Sequence, residues 1–266
     1  MITIKNEYID NYKWVMDNAK GLNLLIESYD WEIWCDKPFY DIGVFNKNQG
    51  QLIKGRGSDK SPLVATLKAF CEFIERFNCS KRSISSNGTA AHFNEDNAIQ
   101  NATKELIERH MILYHILKNH PFIKLEYKAK YLAKIAVDVN LEFFSTYNCN
   151  GIRAYIIRGK LIKRRGFVYI VGTSLDQDLE IQFLRKYVSL LEHDFEAENT
   201  IQDNCLNNND YAFDFLFSGL TSDNVNCSLT INTETTQDSF TGRVYFARAL
   251  SEEALSITST SLHFIG

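Results

Sequence analysis

The segments AFCEFIERF (Ala69–Phe77) and ATKELIERH (Ala102–His110) write Glu-x-x-Glu-Arg twice in one chain. Ala65 and Ala69 precede Glu72, Glu75 and Arg76. Ala98 and Ala102 precede Glu105, Glu108 and Arg109, so every member recurs 33 positions later. Residues spaced by three and four share one helix face. The pattern therefore requires two helices, each with a face that begins in methyl groups and ends in carboxylates. Leu63, Leu67, Phe70, Ile74 and Phe77 form a separate apolar stripe on the first helix, the side expected to face a core.

Each segment alone reads as a solvated face with Glu72–Arg76 and Glu105–Arg109 ion pairs, worth a few tenths of a kcal/mol each. Duplication asks for more, because solvation does not require small residues, acids and base to repeat in one register. If the two faces oppose each other, four glutamates converge, which is unfavourable unless a cation sits between them. An all-oxygen set suits Mg²⁺. A di-iron bundle would need Glu-x-x-His, absent from these helices. Arginines beside the acids suit a polyphosphate, whose charge Mg²⁺ and guanidinium neutralise together. A 33-residue solenoid is set aside, since no third copy follows.

Ser61-Pro62 is a good start for the first helix, which is expected to reach about Asn78. Asn94, with Glu95 and Asp96 behind it, opens a second helix to about Lys118. KGRGSD (Lys54–Asp59) reads as a glycine-rich basic turn, an exposed loop or a phosphate cradle offering Lys54, Arg56 and Ser58; it is not a P-loop. The amino-terminal region suggests a helix from Tyr8 to Glu27, broken near Gly21, then a strand from Tyr40 to Phe45. SSNG (Ser85–Gly88) is a turn, and LEFFSTY, IRAYIIRG and GFVYIVG read as strands of an antiparallel meander. A third helix is expected over Leu179–Glu196, an exposed loop at Asp203–Asp210, and a last strand at RVYFARAL. Helices and strands without regular βαβ alternation indicate an α+β fold.

Composition narrows the class. The net charge of −4 argues against a nucleic-acid footprint, and no apolar run reaches the roughly 18 residues of a membrane span. The first residues carry no signal-peptide pattern, so a cytoplasmic location is expected. The six cysteines show no Cys-x-x-Cys pair and read as reduced structural thiols, with Cys71 packed near the apolar stripe. His110, His115 and His120 read as packing or partly exposed residues, with no acid or Cys at ligand spacing.

In this order and spacing, GRG (Gly55–Gly57), A-x-x-x-A-x-x-E-x-x-E-R, SSNGTAA (Ser85–Ala91) and ELIER (Glu105–Arg109) resemble the YcaO family of ATP-dependent enzymes that modify peptide backbones. The matches are clear from Gly55 to Arg109 and fainter to about Leu250. The resemblance implies a single YcaO-like catalytic domain over residues 1–266, with antiparallel and mixed sheets packed against helices that line an ATP site. Glu72, Glu75, Glu105 and Glu108 would hold Mg²⁺ against the phosphates, with Glu72, Glu105 and Arg109 carrying catalysis. Arg56, Ser58, Asn94, Asn97, Arg109 and Arg185 would contact the nucleotide.

The implied reaction phosphorylates an amide oxygen after a nucleophile has added to the carbonyl. Cys, Ser or Thr side chains then yield azolines, and sulfide yields thioamides. The chain departs from the family pattern at His92, which replaces a glycine, and at Phe93, where a nucleotide-contacting Asn is usual. Asn97 and Ser189 stand where Glu is usual. These departures keep open a noncatalytic scaffold subunit, and a metal-dependent phosphohydrolase stays as a remoter reading. The ending TSTSLHFIG lacks the proline-rich tail of azoline-forming members. With no fused leader-peptide-binding domain expected, a separate E1-like partner would present a ribosomally made precursor peptide. Neither nucleic acid nor membrane is an expected partner, and a homodimer is allowed.

Overall fold

In a computed structural model, residues 6–30, 39–46, 52–132, 138–162, 167–192, 216–218 and 227–255 are described. The chain forms two compact units, Met1–Leu106 with Ile231–Ser251 and Ile107–Thr230 with Glu252–Gly266. Among the described residues, four helices and antiparallel sheets make the expected α+β fold.

The first unit begins with α1 (Asn6–Asn18) and β1 (Leu24–Asp30). The expected helix to Glu27 is therefore too long. The Leu24 amide closes a turn onto the Ala19 carbonyl, and Asn23 takes a left-handed φ of 55°. Asn tolerates that conformation, so it ends the helical path where Gly21 alone would only weaken it. Strands β1, β2 (Tyr40–Asn46) and β3 (Ile53–Asp59) form one antiparallel sheet in that order. The loop expected at Lys54–Asp59 is thus a strand.

The alternation of β3 explains its glycines. Gly55 and Gly57 point at α2 (Pro62–Arg82), where a Cβ on Gly57 would stand 2.4 Å from the Ala69 amide nitrogen. Lys54, Arg56 and Ser58 occupy the other face. Glycine on the strand and alanine on the helix let the two backbones touch, so Ala65 and Ala69 serve strand packing. The apolar stripe of α2 faces the core as expected, with Phe70 and Ile74 fully buried. Pro62 occupies the first turn of α2. The Ser61 side chain makes no cap bond, and the Ser61 amide instead donates to Asp59 Oδ1 at 3.0 Å.

After a turn at Ser85–Gly88, β4 (Thr89–His92) pairs with β10 (Tyr245–Leu250), which also pairs with β9 (Asn232–Gln237). The sequence reading had no strand at Thr89–His92. Against this sheet lies α3 (Glu95–Lys118): Ala98 and Ala102 are buried with Ala90, Ala247 and Ala249. The second alanine pair therefore repeats the function of the first. Asn94 caps α3, its Oδ1 accepting the Asn97 amide at 3.0 Å.

In the second unit, β5 (Ile123–Leu125), a strand the sequence pattern does not announce, pairs with β6 (Val139–Ser145), which forms the expected meander with β7 (Tyr155–Leu161) and β8 (Phe167–Gly172). The third helix, α4 (Gln177–Glu192), opens on Asp176, whose Oδ1 accepts the Asp178 and Leu179 amides. The expected extension to Glu196 and the loop at Asp203–Asp210 lie outside the described residues. Among the described residues, no helix is long and apolar enough to cross a membrane.

Candidate active site

The first unit brings three of the duplicated acids together. Glu72 Oε2 accepts the Arg56 backbone amide at 2.9 Å, and Glu72 Oε1 pairs with Arg76 at 2.5 Å. That amide lies on the free edge of β3, so Glu72 satisfies a donor that β2 cannot reach. Glu75 stands one turn on in α2, and its carboxyl is pushed up to about 9. Burial is the largest cause, followed by the charges of Glu105 and Glu72, while the Thr89 hydroxyl, 3.2 Å away, and Arg76 pull the other way. The buried Glu75 carboxyl thus feels the charges of Glu105 and Glu72, and at neutral pH it keeps its proton. The all-oxygen donor set of these acids fits a hard divalent cation.

Glu108, one turn beyond Glu105 in α3, falls in the second unit. Burial pushes it up to about 7, against the pull of Arg109. The same unit gathers three cations. Lys186 in α4 is driven down first by burial and then by the charges of Arg109 and Arg185. Lys186 is a residue that sequence reasoning passed over. Its place next to Arg185 in α4 was the available signal.

The remaining expected residues have definite occupations. Arg56 donates from Nε to Asp41 Oδ2 at 2.8 Å, and the Ser58 hydroxyl donates to Asp41 Oδ1 at 2.9 Å. Asp41 is fully buried and is the carboxylate that organises this face of β3. Arg56 also lies over the Tyr29 ring, 4.8 Å from its centroid. Asn94 spends its side-chain oxygen on the helix cap, and Asn97 is exposed in the first turn of α3. Phe93 stacks on Phe70, ring centroids 5.9 Å apart, in the apolar core of the first unit. Of Ser189, only its place in α4 is described.

Cys71 is as inert as expected, burial pushing its thiol up to about 12. His115 is a packing residue: it is buried between Phe122 and Tyr147, and burial holds it down at about 4. His110 corrects the expectation that no cysteine joins it, since Cys149 and Cys227 lie beside it.

Compared by sequence, the chain matches no family model and no curated protein. Compared by structure, it is similar to YcaO from Methanopyrus kandleri bound with AMPPCP and Mg²⁺, with a TM-score of 0.64 at 9% identity over 93% of this chain and 91% of that one. The chain has the YcaO fold. A heterocyclase in complex with substrate and cofactor shares this YcaO architecture at a TM-score of 0.66 and 10% identity, over 94% of this chain. The present chain spans about half, 52%, of that heterocyclase. The microcin synthetase McbBCD complex of E. coli contains a further YcaO-like match, at a TM-score of 0.52 and 9% identity over 86% of this chain and 87% of that one.

Proposed function

We propose that this chain binds MgATP and uses it to modify backbone amides of a ribosomally made peptide. The buried Glu75 carboxyl, lying within reach of the charges of Glu105 and Glu72, carries this reading. The likeness to a YcaO bound with AMPPCP and Mg²⁺ supports it. In this reading Glu72, Glu75, Glu105 and Glu108 hold the cation, and Arg109 and Arg185, joined by Lys186, face the phosphates. Arg56 and Ser58 act through Asp41 and β3, as groups that fix Glu72. Bound ATP would supply the phosphoryl group that turns an amide oxygen into a leaving group. The chain's own residues bind the anion, fix its orientation and offset the charge that develops. The product is an azoline when a Cys, Ser or Thr side chain attacks, or a thioamide when sulfide does. The likenesses to a heterocyclase in complex with substrate and cofactor and to a microcin synthetase complex support a substrate and partner proteins. In this reading the substrate is the peptide, the partner is E1-like or otherwise leader-binding, and the setting is cytoplasmic.

A second reading, a noncatalytic scaffold subunit, is favoured by Phe93 and Asn94, which core packing and the helix cap occupy where nucleotide contacts are usual. Calorimetric titration of the chain with a nonhydrolysable ATP analogue separates the two. Magnesium-dependent binding that weakens at least tenfold in Glu105→Gln supports the first reading. Absence of binding, with assembly onto the partner unaffected by nucleotide, supports the second.

A further inference from the structure

The second unit places two cysteines and a histidine that are far apart in sequence within one cluster. Cys149 Sγ lies 2.7 Å from Cys227 Sγ, and Cys227 Sγ lies 3.4 Å from His110 Nε2. The approach is held by backbone. Cys149 exchanges two amide–carbonyl bonds with Ile152 across a tight turn and forms an isolated parallel bridge with Cys227. Next to Cys149, Asn150 donates to the Leu229 carbonyl at 2.8 Å and accepts the Leu229 amide at 3.0 Å.

Two chemistries use such a cluster, a metal centre and a thiol–disulfide pair, and the histidine decides between them. The Leu255 amide donates to His110 Nδ1 at 3.1 Å, so Nδ1 holds a lone pair and the ring proton sits on Nε2, facing Cys227. A metal-ligating histidine has the reverse arrangement, with its lone pair on the metal and its other N–H on an acceptor. Two thiolates on one zinc at about 2.3 Å would also stand about 3.8 Å apart, well beyond the sulfur separation found here.

We infer that Cys149 and Cys227 are a reversible thiol–disulfide pair, oxidised by small disulfides of the glutathione class, with His110 positioning the Cys227 sulfur. Cys227 is partly exposed and Cys149 fully buried, so Cys227 attacks and Cys149 resolves. Burial, with the neighbouring Cys227, pushes the Cys149 thiol up to about 12, which suits the resolving partner. The Cys227 thiolate, accepting from His110 Nε2–H, attacks one sulfur of the oxidant. Its S–S bond breaks, and one glutathione thiolate leaves and takes up the proton that Cys227 released. Cys149 then attacks the Cys227 sulfur of the mixed disulfide, and the second glutathione departs with the Cys149 proton. Two protein thiols lose two electrons and two protons, and one disulfide oxidant gains them as two thiols. The closed bond would tie together segments 78 positions apart, next to the α3 turn that carries Glu108 and Arg109.

The test equilibrates the full chain in glutathione buffers of stepped redox ratio, quenches with acid, alkylates, and reads intact mass and peptide maps. The expected result is a loss of about 2 Da with one cross-linked peptide pair, Cys149 to Cys227. Cys149→Ser should stop at a glutathione adduct on Cys227, and His110→Phe should slow adduct formation several-fold. Three results would overturn the inference: both thiols staying reduced in the most oxidising buffer, disulfides distributed among the other cysteines, or a reduced chain that holds one zinc per molecule and shields both thiols from alkylation.

Discussion

A Cβ built on Gly55 would stand 2.2 Å from the Phe73 amide nitrogen and 2.1 Å from the Ala69 carbonyl oxygen. Both obstacles are helix backbone, so no side chain can rotate to make room. Gly55→Ala must push β3 away from α2, loosening the contact that lets Glu72 reach the Arg56 amide. Stiffening the unfolded chain returns at most about 1 kcal/mol, against a packing cost of about 3 kcal/mol. Urea unfolding should therefore show a net loss of about 2 kcal/mol at an unchanged slope, and a wild-type midpoint would contradict the close approach.

Glycine at position 55 also shows where the sequence stops being legible. The helices α2 and α3 declare themselves through apolar spacing, Pro62, and Asn94 followed by acids. The meander declares itself through β-branched and aromatic runs. Strand β3 does not, because glycine has low strand propensity and its use here is set by Ala65 and Ala69, an arrangement no local window contains. Of the candidate site, the register of Glu72, Glu75 and Glu105 was readable from the duplication. Asp41 was not, since one carboxylate in a strand looks like any other until Arg56 and Ser58 turn toward it. The division between the two units falls inside α3, between Leu106 and Ile107, where a continuous helix offers no Gly or Pro to mark it. The approach of His110 to Cys227 joins residues 117 positions apart and leaves no local trace.

Asn94 separates structural from functional use of one side chain. Its oxygen accepts the third amide of α3, so Asn94→Ala should cost about 1 kcal/mol, while Asn94→Asp keeps the cap and adds a favourable charge at the helix start. Thermal unfolding of both variants checks the cap. If the asparagine serves the cap alone, nucleotide affinity of Asn94→Asp should match wild type within about twofold.

Asp238 ties α2 to the β9–β10 connection. Its Oδ1 accepts Asn78 Nδ2 at 2.7 Å, and its Oδ2 accepts the Thr241 amide at 2.8 Å and hydroxyl at 3.0 Å, with the carboxylate almost fully buried. Asn78→Leu removes one donor from a charge that cannot reach water, and should destabilise by about 2 kcal/mol. The Asn78→Leu, Asp238→Leu double variant should cost less than the sum of the two single changes, because it removes the stranded charge together with its donor. Strict additivity in chemical denaturation would count against the pair.

Glu180 is fully buried and receives three donors: the Tyr127 hydroxyl at 2.7 Å, the Lys130 amide at 2.9 Å and the Tyr131 amide at 2.7 Å. A carboxylate meets all three because it only accepts. Glu180→Gln keeps the shape but turns an NH₂ toward an N–H or O–H donor, so a loss of about 2 kcal/mol is expected despite the near-identical volume. Amide exchange at Lys130 and Tyr131 should rise in the variant ahead of exchange in the sheet, and unchanged protection there would contradict this account.

Glu75 gives the chain a pH dependence opposite in sign to that of an ordinary salt-bridged acid. Its carboxyl titrates near about 9 when folded, against 4.5 for the ordinary group, so the folded state binds a proton that the unfolded state has released throughout that window. The stabilisation is fully present below about pH 4.5 and declines until about pH 9, at no more than about 1.4 kcal/mol per pH unit. Glu108 adds a loss of the same sign that ends near about 7, so between pH 7.5 and 8.5 the slope belongs mainly to Glu75. In magnesium-free buffer, wild-type urea midpoints should fall across this interval, and Glu75→Gln, which cannot ionise, should flatten the decline. A bound divalent cation favours the ionised carboxylate, so saturating magnesium with an ATP analogue should flatten the wild-type curve and leave the Gln variant unchanged. Parallel slopes for the two proteins without magnesium would mean that the carboxylate cluster is already relaxed by solvent.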